Sequence, residues 1–182
     1  MSSVKEIIVD ENHKLFNKTN MFHKEFNSDF RQIRFFTLLI IQQAPAQLSE
    51  IKLLEQQVGE LISNAVKHGN KRDSKKKVKV WYAFDSEKAH IIVEDEGEGF
   101  QDIERWNYFN KKRTEYFENK DFEQMKDYLA YRTPKSDEND GGNALFAALE
   151  YWNGGFIFNK ERNAVAALRY YPQKNKGIEL NN

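Results

Sequence analysis

The stretch from Val93 to Phe100 reads VEDEGEGF, and the run before it, AHIIV from Ala89 to Val93, has the apolar and β-branched character of a buried strand. That strand breaks into acids and two glycines, Gly97 and Gly99, spaced GxG. A plain turn needs one Gly and one Asp, so two spaced glycines among acids point to a backbone that must come close to something. A second stretch, ELISNAVKHGN from Glu60 to Asn70, follows a helical pattern. At about 100° per residue, Glu60, Asn64 and Lys67 fall on one ridge, away from the apolar stripe of Ile51, Leu54, Val58 and Ala65. A carboxylate, an amide oxygen and an ammonium along one ridge can activate a hydroxyl, hold a hard cation and neutralise phosphate. Taken alone, such a ridge also reads as an ordinary solvent-facing surface.

The elements that position these residues follow from periodicity and punctuation. Ile7, Ile8 and Val9 suggest a short strand in an otherwise mixed segment, residues 1–27. From Phe30 the positions Phe30, Ile33, Thr37, Ile40 and Ile41 recur at helical spacing, with Ser28 as the N-cap and Pro45 marking the end. A second helix starts after Ser49 and stops at Gly69. VKVWYAF from Val78 and AHIIV from Ala89, joined by DSEK, form a hairpin, and GFIFN from Gly155 and AVAALRYY from Ala164 form another. Between the hairpins, residues 101–142 are rich in charge and aromatics and read as a mobile insertion with one or two short amphipathic helices. A further helix runs from Asn143 to Trp152, and residues 172–182 read as a disordered tail. Two helices, a hairpin, a helix and a hairpin predict an α+β sandwich, a mostly antiparallel sheet with helices on one face.

Composition narrows the function classes. The 182 residues carry 28 basic and 28 acidic side chains, so no net charge favours nucleic acid or an anionic membrane. KRDSKKK, Lys71 to Lys77, is the one basic cluster and reads as a solvated loop. The absence of cysteine removes disulfides, thiolate nucleophiles and cysteine-bound metals. No apolar run is long enough to span a bilayer, and the start lacks a signal-peptide pattern, so the expected location is the cytoplasm. No P-loop motif and no nucleophile elbow is present.

The order of segments is the strongest signal. A helix bearing Glu60 and Asn64, a hairpin ending in DEGEGF from Asp95, and a Gly pair, Gly141 and Gly142, ahead of the last helix together resemble the Bergerat-fold or GHKL ATPases. Within that group the chain is most similar to the short anti-sigma-factor serine kinases of bacteria, over about residues 28 to 171. The resemblance implies a two-layer α/β sandwich that binds ATP with Mg²⁺, residues 101–142 forming its lid. It implies that Asp95 accepts a hydrogen bond from the exocyclic amine of adenine, with Gly97, Gly99 and Phe100 turning beneath the nucleotide and Glu94, Glu96 and Glu98 pointing to solvent. It further implies that Asn64 holds Mg²⁺, that Glu60 is the general base, that Lys67 and His68 approach phosphate or ribose, and that amides from Gly141 to Asn143 receive phosphate.

The chain departs from that pattern at two places. DGGNALF, Asp140 to Phe146, has Ala144 where a further Gly is expected, and AVAA from Ala164 replaces the usual Thr of the last strand. Two functions therefore stand open. One is an ATP-dependent serine/threonine protein kinase that also binds a sigma factor and phosphorylates its antagonist; the other is a partner-binding module in which ATP only sets conformation. The expected partners are a sigma factor or an anti-anti-sigma protein, and the apolar first helix offers a surface for a homodimer.

Overall fold

The computed structural model describes residues 5–132 and 143–172. Six strands form one sheet in the order β1-β5-β6-β4-β3-β2. They are β1 (Ile8–Val9), β2 (Phe22–Asn27), β3 (Lys77–Phe84), β4 (Lys88–Glu94), β5 (Gly155–Phe158) and β6 (Ala164–Tyr170). The β1–β5 pair is parallel and the others are antiparallel, as the α+β expectation requires. The two hairpins lie side by side, with Ile92 opposite Ala166 and Trp81 opposite Ile92. Period-2 alternation sends Val78, Val80, Tyr82, Ile91, Val93 and Ala167 into the main core against the helices. Their neighbours Ile92, Ala166, Ile157 and Leu168 form a smaller cluster on the other face.

Residues 5–27, read from the sequence as an extension ahead of the domain, supply both outer strands of its sheet. Between β1 and β2 the chain crosses the helix-free face, where a 3₁₀ turn at Lys14–Phe16 seats Leu15 in the smaller cluster. The sequence gives little sign of β2, FHKEFN, because of its six residues only Phe26 is buried.

The helical layer contains α1 (Ile33–Ile41), α2 (Ile51–Asn64), α3 (Ile103–Glu118), α4 (Phe122–Met125) and α5 (Ala144–Tyr151). Helix boundaries depart from the sequence expectation at the caps. Asp29, not Ser28, opens the first helical segment, its carboxylate accepting from the Arg31 N–H at 3.0 Å, while Ser28 is fully buried. Glu50 replaces Ser49 at the start of α2 and makes no side-chain cap; it pairs with Arg169 of β6 at 3.0 Å instead. In the insertion, α3 is longer than the short helices expected, because Ile103 and Trp106 anchor it in the main core.

Candidate functional site

α2 does not stop at Gly69 by a left-handed glycine cap. It widens into a π-helical turn over Ala65–Gly69, closed by the Asn70 N–H donating to the Ala65 carbonyl at 2.8 Å. π turns recur at functional sites because they shift side chains that follow them around the helix axis. Here the turn sets Gly69 and Asn70 against the end of β4, where Asp95 follows the strand.

Three groups meet at that point. A Cβ on Gly69 would overlap the Asp95 carboxyl, and a Cβ on Gly97 would overlap the Gly69 carbonyl. Both glycines are therefore required by close approach. The Gly97 N–H donates to Asp95 Oδ1 at 2.8 Å. The Asp95 backbone is held by Asn163, whose carbonyl accepts the Asp95 N–H at 2.9 Å and whose Nδ2 donates to the Asp95 carbonyl at 3.0 Å. Gly99 has a φ of 78°, and a Cβ on it would run into the Glu161 carbonyl. Phe100 is half-buried, its ring 6.0 Å from that of Phe158 and its N–H donating to the Arg162 carbonyl at 2.9 Å.

Burial raises the Asp95 carboxyl from 3.8 to about 6, against the opposing pull of the Gly97 amide and of Lys76. Desolvation disfavours the carboxylate, so an incoming donor that supplies a hydrogen bond to the ionised form finds a poorly satisfied acceptor.

Asn70, which the sequence reading passed over, ties the site together. It is fully buried, its Nδ2 donating to the Lys77 carbonyl at 2.8 Å and its Oδ1 accepting the Glu96 N–H at 2.8 Å. One side chain thus joins the end of α2, the start of β3 and the glycine loop. The sequence signal was an Asn directly after a helix-ending Gly and ahead of a strand. Glu96 and Glu98 are exposed as expected, and each also has a partner: Glu96 Oε2 accepts the Lys77 N–H at 2.7 Å, and Glu98 pairs with Lys71 at 3.2 Å. The basic loop is thereby folded onto the acidic one, with Lys71 and Arg72 at φ values of 54° and 61°.

Glu60 and Asn64 lie at i,i+4 in α2 and share its face. Glu60 is exposed and lines an open cleft of about 430 Å³ with Phe30, Arg31, Arg34, Ser63 and Lys67. Asn64 does not line that cleft; it is half-buried on the last turn of α2, and its side chain caps nothing. His68 is exposed and Asn143 is the exposed N-cap residue of α5, without a side-chain cap bond. Gly141 and Gly142 lie outside the described residues. The structure thus brings Asp95, Gly97 and Gly99 together with Gly69, Asn70 and Asn163, and sets Glu60 with Lys67 in a separate cleft along α2.

A strand-ending carboxyl seated on two glycines beside the end of a helix is the architecture for which the sequence comparison gives a family: the model of the histidine kinase-like ATPase domain matches residues 27–124, more than half of the chain. The chain belongs to the histidine kinase-like ATPase domain family. No curated protein matches it. The match spans α1, α2, the β3–β4 hairpin, the glycine loop and α3, so the Asp95 site lies wholly within it except for Asn163. Membership implies that the ATPase domain binds ATP. Among the described residues no helix is long and apolar enough to cross a membrane, and no three His, Cys, Asp or Glu gather as a metal site.

Proposed function

We propose that this histidine kinase-like ATPase domain binds ATP at Asp95 and transfers the γ-phosphoryl group to a serine or threonine hydroxyl of a protein partner, acting as an anti-sigma factor. The observation that carries the nucleotide half is the state of Asp95: Oδ1 accepts the Gly97 N–H, and Oδ2 is left as the acceptor for the exocyclic amine of adenine. In this reading the purine is held at the end of β4, between the glycine loop and the end of α2.

The Asn64 amide oxygen fits Mg²⁺, a hard cation that takes few protein ligands and fills the rest of its shell from phosphate and water. When bound, the ion would offset charge on the phosphate oxygens. Glu60 accepts the proton of the attacking hydroxyl, whose oxygen forms the new bond to the γ-phosphorus as the bond to the bridging oxygen breaks and ADP leaves. The Glu60 cleft mixes charges: Arg34 and Lys67 line it with Glu55 and Glu60, and Arg31 beside them is paired with Asp29. The anti-sigma role rests on the likeness of residues 28–171 to bacterial anti-sigma serine kinases, and the expected partners are a sigma factor and its antagonist.

A second reading keeps the nucleotide and drops the transfer. Ala144 opens α5 where its relatives place glycine, and Asn143 before it makes no cap, which favours a domain whose ATP sets shape alone. Incubation with γ-labelled ATP, magnesium and candidate sigma-factor antagonists separates the two. Label on a partner serine that disappears in Glu60→Ala, with ATP binding retained, supports the kinase. Retained binding with no transfer by the wild type leaves the module and refutes the kinase.

A further inference from the structure

Residues 5–9 bind three elements at once. The Ile7 backbone is paired by a side chain in place of a strand: its N–H donates to Asn107 Oδ1 at 2.9 Å, and its carbonyl accepts from Asn107 Nδ2 at 2.9 Å. One turn further along α3, Asn110 Nδ2 donates to the Lys5 carbonyl at 2.8 Å. Asn107 and Asn110 share a helix face by their i,i+3 spacing, and Asn110 is buried. Lys5 then reaches α5, its Nζ donating to the Leu149 carbonyl at 3.3 Å and to Glu150 Oε2 at 3.1 Å. Ile8 and Val9 finish the segment by pairing with Ile157 and Phe158 of β5.

This attachment is specific but light. The Ile7 side chain is 3% exposed in the main core, whereas Ile8 is 51% exposed. Besides the Ile7 side chain, two strand pairs, three neutral amide bonds and the exposed Lys5–Glu150 pair, each worth about 1 kcal/mol or less, hold a two-residue strand at a sheet edge. Such a segment belongs to the parts of a fold that open at low cost. One of the elements it joins, α3, starts at the proposed nucleotide site. α3 leaves directly from the Asp95–Phe100 loop, with Glu104 paired to Arg162 of the β5–β6 turn, and α5 carries Phe146, which meets Trp106 and Phe109 of α3 at 5.1 and 6.1 Å. Aromatic contacts alone permit sliding; the segment adds directional amide bonds to α3 and, through the Lys5 ammonium, hydrogen bonds to α5, and these fix their register.

We propose that residues 5–9 are a removable staple that fixes α3 to α5 and to the sheet edge and thereby slows nucleotide release, with Asn107 and Asn110 as its catch. The inference rests on the ATP-binding reading for its nucleotide half and on geometry alone for the coupling of the helices. A peptide with the same sequence refills the slot, because the slot reads main chain through two asparagines and one buried apolar side chain.

Two full-length variants test it. Ile7→Asp places a carboxyl in the core and expels the segment with the slot left whole; Asn107→Leu removes the catch with Ile7 unchanged. Amide hydrogen exchange without nucleotide is expected to rise about thirtyfold across 103–118 and 144–151 in both variants, on the loss of roughly two such bonds, with 51–64 unchanged. Release of a fluorescent ATP analogue, with magnesium present, is expected to quicken by up to the same factor. A synthetic peptide of residues 1–10 restores slow release in Ile7→Asp and not in Asn107→Leu. Unchanged exchange in 144–151 overturns the staple, and faster exchange with unaltered release overturns its control of the nucleotide. A wild type that binds no analogue refutes the ATP reading and the nucleotide half with it, while exchange in 144–151 still decides the staple.

Discussion

Asp95 and Gly69 are in direct contact: the carboxyl of one fills the space that any side chain on the other would need. The end of α2 and the end of β4 are therefore fitted to each other at a single acid, and that acid has one oxygen committed to the Gly97 amide.

Replacement of Asp95 by Asn tests the free oxygen. The amide keeps its carbonyl toward the Gly97 N–H and so turns its NH₂ toward the exocyclic amine, donor against donor. ATP affinity should fall at least tenfold, about 1.4 kcal/mol or more, by titration calorimetry.

The same residue sets a pH dependence. Its folded value of about 6 lies above the 3.8 of the unfolded chain, so the folded protein binds the proton more tightly. Stability from this group is full below about 3.8 and is lost as pH rises to about 6. Asp95→Asn lacks that loss, and its melting temperature should gain on the wild type as pH rises from 3.8 to about 6, the window the shift defines. Nucleotide binding runs the other way and should weaken as pH falls through about 6, because protonation removes the acceptor.

Gly69→Ala forces the Asp95 carboxyl or the π turn to move. Overpacking at such a contact costs about 1–3 kcal/mol, and the new methyl displaces the adenine acceptor too. Urea unfolding should show the stability loss, and ATP affinity should fall with it. Gly59→Ala is the control, since a Cβ there meets Thr37 only at 3.5 Å, ordinary contact distance.

Asn70→Ala leaves the Lys77 carbonyl and the Glu96 N–H without their partner. A loss of about 2–3 kcal/mol is expected in denaturant unfolding, since both groups are left without their hydrogen bond. Asn70→Asp should recover part of it, because a carboxylate still accepts from Glu96 but cannot donate to Lys77.

Sequence revealed those parts of the fold whose signals are local. The hairpins β3–β4 and β5–β6 and the stripe of α2 were legible because alternation and helical period are written in consecutive residues. The glycine loop was legible from Gly97 and Gly99. What stayed hidden depends on partners distant in the chain. β2 is polar along most of its length and is a strand only because β3 pairs with it. Asn70 gains its role from Lys77 and Glu96, and Asn163 from Asp95, 68 residues away. Gly69 does end the helical segment, as read, but the π turn before it leaves no periodic trace, and the Asp95 carboxyl that requires a glycine there is distant in the chain. Glu60 and Asn64 were legible as one ridge because α2 is a continuous helix through both; which of them lines the cleft beside α1 depends on that neighbour and was not.

The most direct measurement is the melting temperature of the wild type and of Asp95→Asn at pH 7.5, with and without ATP and magnesium. At a nucleotide concentration about a hundred times the wild-type dissociation constant, binding adds about 2.7 kcal/mol to the wild type, and the account predicts a rise of several degrees there and about half of it or less in the variant. An equal rise in both proteins, or no rise in the wild type, would contradict it.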